Sequence, residues 1–218
     1  MKMRSLVTTG ATVALTASLL LAPGTAEAAP AKAAAKGTTS LAEVLTSDGN
    51  RFDKRGRDYD IVTEAVLAVL DAKPSSPVAV LADGTVKLTA FIPNDASFRR
   101  LAKELTGDWI RSERKVFKTL VSAVGVDAIE QVLLYHVVPG ATITSSKALA
   151  ADGAELTTAQ GSTFEVDVIY KRLPLVQLRD QDTDDIDPFL DPSALDINKG
   201  NKQVAHGIIF VLRPLDLP

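Results

Sequence analysis

The chain has 218 residues, a nearly balanced charge and no cysteine, and these three properties exclude several classes of protein. Without cysteine it cannot form a disulfide framework, a thiolate zinc site, a cysteine nucleophile or a cysteine-linked lipid anchor. Its 24 basic and 27 acidic residues give a formal net charge of −3, which argues against a nucleic-acid partner, because proteins that bind nucleic acid present dense basic patches.

The N-terminal 28 residues have the layout of a secretory signal peptide. Lys2 and Arg4 precede an apolar stretch over residues 6–21, and Ala26-Glu27-Ala28 supplies a small-x-small cleavage site. A transmembrane anchor is the alternative, but threonine, serine and glycine interrupt the apolar stretch and favour cleavage. We therefore expect a secreted, extracellular chain that is not inserted in the membrane after cleavage.

One domain is predicted after the signal peptide. Residues 29–39 are rich in alanine, lysine and glycine without an apolar face, which indicates a flexible linker. The domain is expected over residues 40–218, a length sufficient to bury a hydrophobic core without disulfides.

Apolar periodicity predicts two helices in the first part of this domain. The first covers residues 60–72 with Asp60 as its N-cap. The second begins after an N-cap at Asn94 or Asp95 and is closed by Gly107.

Two more helices are predicted on either side of a glycine. The third covers roughly residues 112–124 and stops at Gly125. The fourth begins at Asp127, where Glu130 three residues later suggests a capping box, and ends before Pro139-Gly140.

Strand patterns are concentrated in the second half of the domain. An early β-hairpin is predicted from Val78–Ala82 and Thr85–Ile92 around Asp83-Gly84. The later strands are predicted at residues 155–158, 162–169, 173–178 and 203–212. Helices that precede strands, without βαβ alternation, predict an α+β fold.

Three sequence blocks resemble the fasciclin domain family. Residues 89–98, TAFIPNDASF, are similar to its first signature, roughly TVFAPTDAAF. Residues 133–140, LLYHVVPG, resemble its central stretch, and residues 205–212, AHGIIFVL, lie where its second signature, roughly NGVIHVID, ends the domain. Any one block alone would be weak, but the set in this order and spacing is specific.

The resemblance implies a fasciclin-like β-sandwich wedge flanked by α-helices, on extracellular proteins that bind proteins or glycans and are not generally catalysts. It makes Tyr135 and His136 candidates for an adhesive contact. For His136 the residues themselves favour another role: it continues the apolar stripe of Ile129, Val132 and Leu133, which predicts a core histidine bonded to nearby backbone.

The chain departs from the family pattern in its last part. His206, Phe210 and Arg213 stand where the family has asparagine, histidine and aspartate, and the loop over residues 179–193 is longer than usual. These changes leave the expected fold intact, but they weaken any function that depends on the polar residues of the second signature.

No cofactor or metal site is predicted, although the long loop suggests one alternative. Asp180, Asp182, Asp184 and Asp191 fall at the first, third, fifth and twelfth places of a calcium loop. Asp185 stands where that loop needs glycine, so a solvated acidic loop is favoured over a calcium site.

Catalytic motifs are missing from the sequence. It has no G-x-S-x-G elbow and no glycine-rich phosphate loop, and His136 and His206 lack the spacing of a zinc site. We therefore predict a non-enzymatic module that adheres without covalent chemistry to an extracellular protein or polysaccharide at a cell surface or matrix, in an oligomeric state left open. A secreted hydrolase on the same scaffold and a calcium-stabilised surface domain are the alternatives.

Overall fold

The computed structural model describes residues 37–172 and 175–215. The predicted signal peptide (1–28) and all of the predicted linker up to residue 36 lie outside these residues. Within the described ranges no helix combines the length and apolarity needed to cross a membrane.

The described chain contains five α-helices, one 3-10 helix and seven strands. The α-helices are Leu41–Leu45 (α1), Asp60–Ala72 (α2), Asp95–Thr106 (α3), Glu113–Tyr135 (α4) and Ser145–Ala148 (α5), and the 3-10 helix is Pro77–Ala82. The strands are Leu88–Pro93 (β1), Val137–Pro139 (β2), Ala154–Thr157 (β3), Thr163–Tyr170 (β4), Leu175–Arg179 (β5), Phe189–Leu190 (β6) and Gln203–Ile209 (β7).

All seven strands belong to one sheet of order β2-β1-β7-β6-β5-β4-β3. Strands β1 and β7 are parallel, and every other neighbouring pair is antiparallel. The N–H of Ala159, just after β3, donates to the carbonyl of Val137 in β2 at 2.7 Å. This bond brings the two edges of the sheet together, so the sheet curls toward a barrel, and the predicted α+β class is confirmed.

Two apolar cores lie on the two faces of the curled sheet. Ala90 and Ile92 of β1 face a core shared with α2, α3 and α4, whereas Phe91 between them faces a core made by residues of β2 and β4–β7. Phe91 packs edge-on against Phe164 with ring centroids 5.3 Å apart. Because successive side chains of a strand point to opposite faces, β1 is buried on both sides.

The predicted helices are confirmed where local signals are strong. Helix α2 covers the predicted residues 60–72, although Tyr59 and not Asp60 is its N-cap. The side-chain oxygen of Asn94 accepts a hydrogen bond from the N–H of Ser97 to cap α3, and Gly107 ends that helix with a φ of 77°.

Helix α4 contains both of the last two predicted helices. They meet at Gly125, whose φ of 77° and ψ of 167° are not helical and kink the chain there. The carboxylates of Asp127 and Glu130, predicted to take part in a capping box, both accept hydrogen bonds from Nζ of Lys73.

The predicted β-hairpin over residues 78–92 is wrong. Its first half is the 3-10 helix, whose N-cap Ser76 accepts a hydrogen bond from the N–H of Val78. Gly84 serves a close approach, because a Cβ placed there would lie 1.8 Å from the carbonyl oxygen of Thr38. Strand β1 pairs with β2 and β7 instead.

Candidate functional site

An apolar cleft opens between helices α2, α3 and α4 and the segment that follows β7. Its volume is about 270 Å³, slightly below the usual range of small-molecule pockets. We call it the helix cleft and define it by five of its lining residues: Phe98, Leu105, Phe117, Val124 and Leu215.

The rim of the helix cleft exposes apolar side chains to water. Val124, one residue before the kink in α4, is 43% exposed, and Leu215 in the C-terminal segment is 55% exposed. The rim thus offers apolar surface that a partner could bury.

Residues 211–215, the C-terminal wall, form one side of the cleft, and two of their N–H groups donate hydrogen bonds to side chains. The N–H of Leu212 donates to Nε2 of His136 at 3.1 Å, and the N–H of Arg213 donates to a carboxylate oxygen of Asp180 at 2.7 Å. The first bond ties the wall to the end of α4, and the second ties it to the acidic loop after β5.

The guanidinium of Arg213 lies among acidic side chains of the long loop. It contacts Asp182 at 3.0 Å and Asp185 at 2.9 Å, and it also pairs with Glu104 of α3. The side chain of Asp182 is fully buried in this arrangement. The two departures from the family pattern, the arginine and the long acidic loop, therefore compensate each other.

The acidic loop, for which the sequence favoured a solvated loop over a calcium site, is exposed at Asp184 but buried at Asp182. Asp182 is buried against Arg213, and Asp191 is used locally, accepting from the N–H and hydroxyl of Ser193. Among the described residues, no group of acidic or histidine side chains close enough to share an ion includes a member of this loop.

Tyr135 is buried in the core enclosed by the curled sheet. Its hydroxyl donates to the carbonyl of Thr163 at 2.9 Å, and its ring packs edge-on against Phe164. Burial raises the pKa of Tyr135 well above its ordinary value. The side chain is 0% exposed, so a direct contact with a partner is not available to it in this conformation.

His136 has the core role that its place in the apolar stripe predicts, and its ring also lines the helix cleft. Nδ1 lies 2.7 Å from the carbonyl of Val132, while Nε2 accepts from Leu212, so the proton resides on Nδ1. Burial lowers the pKa of His136 to about 4, which keeps the ring neutral at physiological pH.

His206 is likewise held by the backbone. Nε2 donates to the carbonyl of Ile143 at 2.8 Å, and Nδ1 accepts from the N–H of Asp196 at 3.3 Å. Burial lowers the pKa of His206. All four ring nitrogens of the two histidines are engaged by backbone groups, so neither is placed to bind zinc or to act as a general base.

A carboxylate cluster that the sequence did not reveal lies at the start of three helices. Asp58, Asp95 and Glu113 each place one oxygen within 4.8 Å of the others, and Asp58 also belongs to a second such group with Asp53 and Asp60. The loop that precedes α2 therefore turns Asp58 inward. The one sequence signal was acidic residues at predicted helix starts, which is too common to single them out.

The comparisons with known proteins agree with this geometry. A family model described as Fasciclin domain matches residues 64–212. A search of the curated proteins found no match.

Among solved structures, the fold is similar to that of a FAS1 domain pair from the insect cell adhesion molecule Fasciclin I. The TM-score is 0.53 and the identity 14%, over 80% of this chain and 51% of that chain. The chain thus spans about half the length of that structure, and at this identity the likeness concerns the fold alone. Since the family model matches most of the chain, the chain belongs to the fasciclin domain family, and the fasciclin-like fold predicted from sequence is confirmed.

Proposed function

We propose that this chain is a secreted fasciclin domain that binds an extracellular partner without covalent chemistry, at a cell surface or in a matrix. Membership of the family supports an adhesion-type role. The observation that carries the proposal is the helix cleft, a concave apolar site whose rim exposes Val124 and Leu215.

The chemistry of the cleft favours a protein partner over a polysaccharide. Its lining is almost entirely aliphatic and aromatic, with Gln131 and Arg213 among its few polar members. An apolar side chain of the partner, inserted into the cleft, would bury the lining residues and the exposed rim residues together. Each Å² of apolar surface removed from water stabilises a complex by about 25 cal/mol, before the costs of association are subtracted. Sugar recognition would need more hydrogen-bonding groups than this lining offers.

In this proposal Tyr135 and His136 do not contact the partner but support the structure around the helix cleft. His136 holds the C-terminal wall against α4, while Tyr135 anchors the end of the same helix to β4. The direct adhesive contact predicted for the pair from sequence stays a prediction, which substitution of each side chain can test.

We further propose that the domain is not an enzyme. The cleft brings no carboxylate pair together, and the histidine in its wall has both nitrogens bonded to backbone. A hydrolase on this scaffold would need converging groups with shifted pKa values in the cleft. Turnover of an ester, peptide or glycoside substrate, lost when the rim is blocked, would favour that alternative.

The test uses two exposed apolar residues that match in exposure. Val124 lines the cleft and Leu67 on α2 does not, yet both are helical and 43% exposed. We expect Val124→Asp to weaken binding to immobilised cell-surface or matrix extracts by about tenfold or more, because binding would bury an unpaired charge, and Leu67→Asp to leave it unchanged.

Leu215→Asp provides a second cleft variant on the other wall and should behave like Val124→Asp. All three substitutions are at exposed positions, so circular dichroism should show folded proteins. Equal binding by all variants would rule out the cleft as the contact surface, and binding abolished by glycan digestion of the extract would point to a polysaccharide instead.

A further inference from the structure

The N-terminal ends of α2, α3 and α4 meet at one acidic cluster. Asp95 is the first residue of α3, Glu113 is the first residue of α4, and Asp58 lies two residues before α2. We call these three residues the helix-start cluster. One oxygen from each lies within 4.8 Å of the others, although the residues are far apart in sequence.

Two carboxylate oxygens in this cluster are buried without a hydrogen-bond partner. Asp95 is 0% exposed; its Oδ1 accepts from the N–H of Ile61 at 3.0 Å, but its Oδ2 has no donor, and neither has Oδ1 of Asp58. Buried polar atoms are normally paired, and an unpaired acceptor costs about 1–3 kcal/mol. The geometry therefore calls for an electropositive group between these two side chains.

The loop that carries Asp58 is pinned in place by backbone hydrogen bonds. The N–H groups of Asp95 and Ala96, at the start of α3, donate to the carbonyls of Asp58 and Gly56 at 3.1 and 2.9 Å. These two bonds hold the backbone of Asp58 against the start of α3, next to Asp95.

The charge of the cluster matches a divalent ion. Its three carboxylates carry three negative charges when ionised, and Arg99, which contacts Glu113 at 2.5 Å, offsets one. The remaining charge is −2. Asp58 also belongs to a second group of carboxylates with Asp53 and Asp60. Because Asp53 is exposed and Asp95 is buried, the two groups together form an acidic path from solvent to Asp95.

We propose that the helix-start cluster is a binding site for a divalent, oxygen-seeking cation, with Ca²⁺ as the best match. All donors are oxygens, which suits calcium, magnesium or manganese and not metals that select nitrogen or sulfur. Calcium accepts six to eight oxygens in irregular geometry at about 2.3–2.6 Å. Two oxygens on opposite sides of one such ion lie about 4.6–5.2 Å apart. The three donor oxygens, all within 4.8 Å of one another, can therefore bind the same ion. This inference does not depend on the proposed adhesive function.

A proton is the competitor for the same oxygens. Burial, together with the facing Asp58 and Glu113 carboxylates and a hydrogen bond that protonated Asp95 can make with Asp58, raises the pKa of Asp95 to about 8, while the N–H of Ile61 opposes the shift. The other titratable groups near these carboxylates are Asp53, Asp60, Tyr59 and, through Glu113, Arg99. Because carboxylates must be deprotonated to bind a cation, calcium binding should release protons and its affinity should fall as the pH is lowered.

The experiment titrates chelator-treated chain with CaCl₂ at pH 8, 7 and 6 by isothermal and scanning calorimetry. We expect one saturable site, a melting temperature that rises with Ca²⁺, and a binding heat that changes with the ionisation enthalpy of the buffer. Asp58→Asn and Asp95→Asn should each remove the response. Asp184→Asn, an exposed residue of the acidic loop, is the matched control and should keep it.

Asp58 is only half-buried and lies in a loop, so its variant should fold even if Asp95→Asn does not. Absence of binding heat in wild type at pH 8 would overturn the proposal. So would a response that survives both cluster variants or is lost in Asp184→Asn. A chain that ignores calcium but loses stability between pH 6 and 8 would also overturn it and would assign Asp58 and Asp95 to a shared proton.

Discussion

The N–H of Leu212 donates to Nε2 of His136, and this 3.1 Å bond joins the central and final blocks through which the chain resembles its family. It explains in physical terms why a histidine ends the fourth predicted helix. The imidazole links the last turn of α4, through the carbonyl of Val132, to the segment that walls the helix cleft. The histidine therefore serves the shape of the site and not its chemistry.

Replacing His136 by phenylalanine should destabilise the domain. The variant keeps a ring of similar size but leaves the N–H of Leu212 without its acceptor, at a cost of about 1–3 kcal/mol, and removes the bond from the ring to the carbonyl of Val132, which keeps the backbone N–H of residue 136 as its donor. Urea unfolding measures the change. A loss below about 0.5 kcal/mol would contradict the role assigned to the two hydrogen bonds.

The lowered pKa of His136 should cause part of the pH dependence of stability. Because the pKa of His136 is lowered from 6.5 to about 4 in the folded state, the unfolded chain takes up the proton first as the pH falls. Stability present above pH 6.5 is therefore lost toward pH 4, by up to about 1.4 kcal/mol per pH unit. His136→Gln should lose less stability than wild type between pH 7 and 5, and parallel losses would contradict this assignment.

Arg213 should matter far more than an exposed arginine in a similar pair. Arg213→Gln removes the cation that contacts the buried Asp182, and breaking a buried pair costs about 3–5 kcal/mol. Arg179, whose partner is Asp167, is 55% exposed, so Arg179→Gln should cost less than about 1 kcal/mol. Similar unfolding midpoints for the two variants would show that the acidic loop does not depend on Arg213.

Tyr135→Phe separates the structural role of Tyr135 from an adhesive one. The variant keeps the packing against Phe164 and loses the hydrogen bond to Thr163, at a cost of about 1 kcal/mol. Binding to surface extracts should be unchanged once the fraction of folded protein is matched. A specific loss of binding in a stably folded variant would instead support the direct contact predicted from sequence.

Without calcium, Asp95→Asn should stabilise the domain at high pH. The folded pKa of Asp95 is raised from 3.8 to about 8, so its contribution to stability is fully present below pH 3.8 and is lost as the pH rises through 8. Asparagine keeps the acceptor for Ile61 and cannot ionise. Melting curves in chelator should show the variant more stable than wild type at pH 8 and the difference shrinking toward pH 5; a variant less stable at pH 8 would contradict the raised pKa.

Local signals predicted local structure well. The bounds of α2, the cap at Asn94 and the break at Gly125 follow from caps, glycines and apolar spacing within a few residues of each element. The failed hairpin shows the limit of such signals. Asp83-Gly84 suits a tight turn, but its glycine is required by the backbone of Thr38, 46 positions earlier in the chain.

The sites depend on contacts that no local pattern contains. The helix cleft is made by three helices and a C-terminal segment, and the helix-start cluster brings together residues 58, 95 and 113 only after α2, α3 and α4 have packed. The pairing of Arg213 with Asp182 could not be predicted either, because the sequence shows the arginine and the acidic loop only as two separate departures from the family pattern. Only the packed structure shows that the arginine neutralises carboxylates of the loop.

Hydrogen–deuterium exchange of the chain, free and bound to the surface or matrix fraction that retains it, tests most directly whether recognition occurs at the helix cleft. We expect new protection in the part of α4 around Val124 and in residues 211–215, with little change in the β4–β5 hairpin, where Ile169 and Tyr170 are also exposed. Protection confined to that hairpin, or no protection in a chain that turns over a substrate, would contradict the assignment.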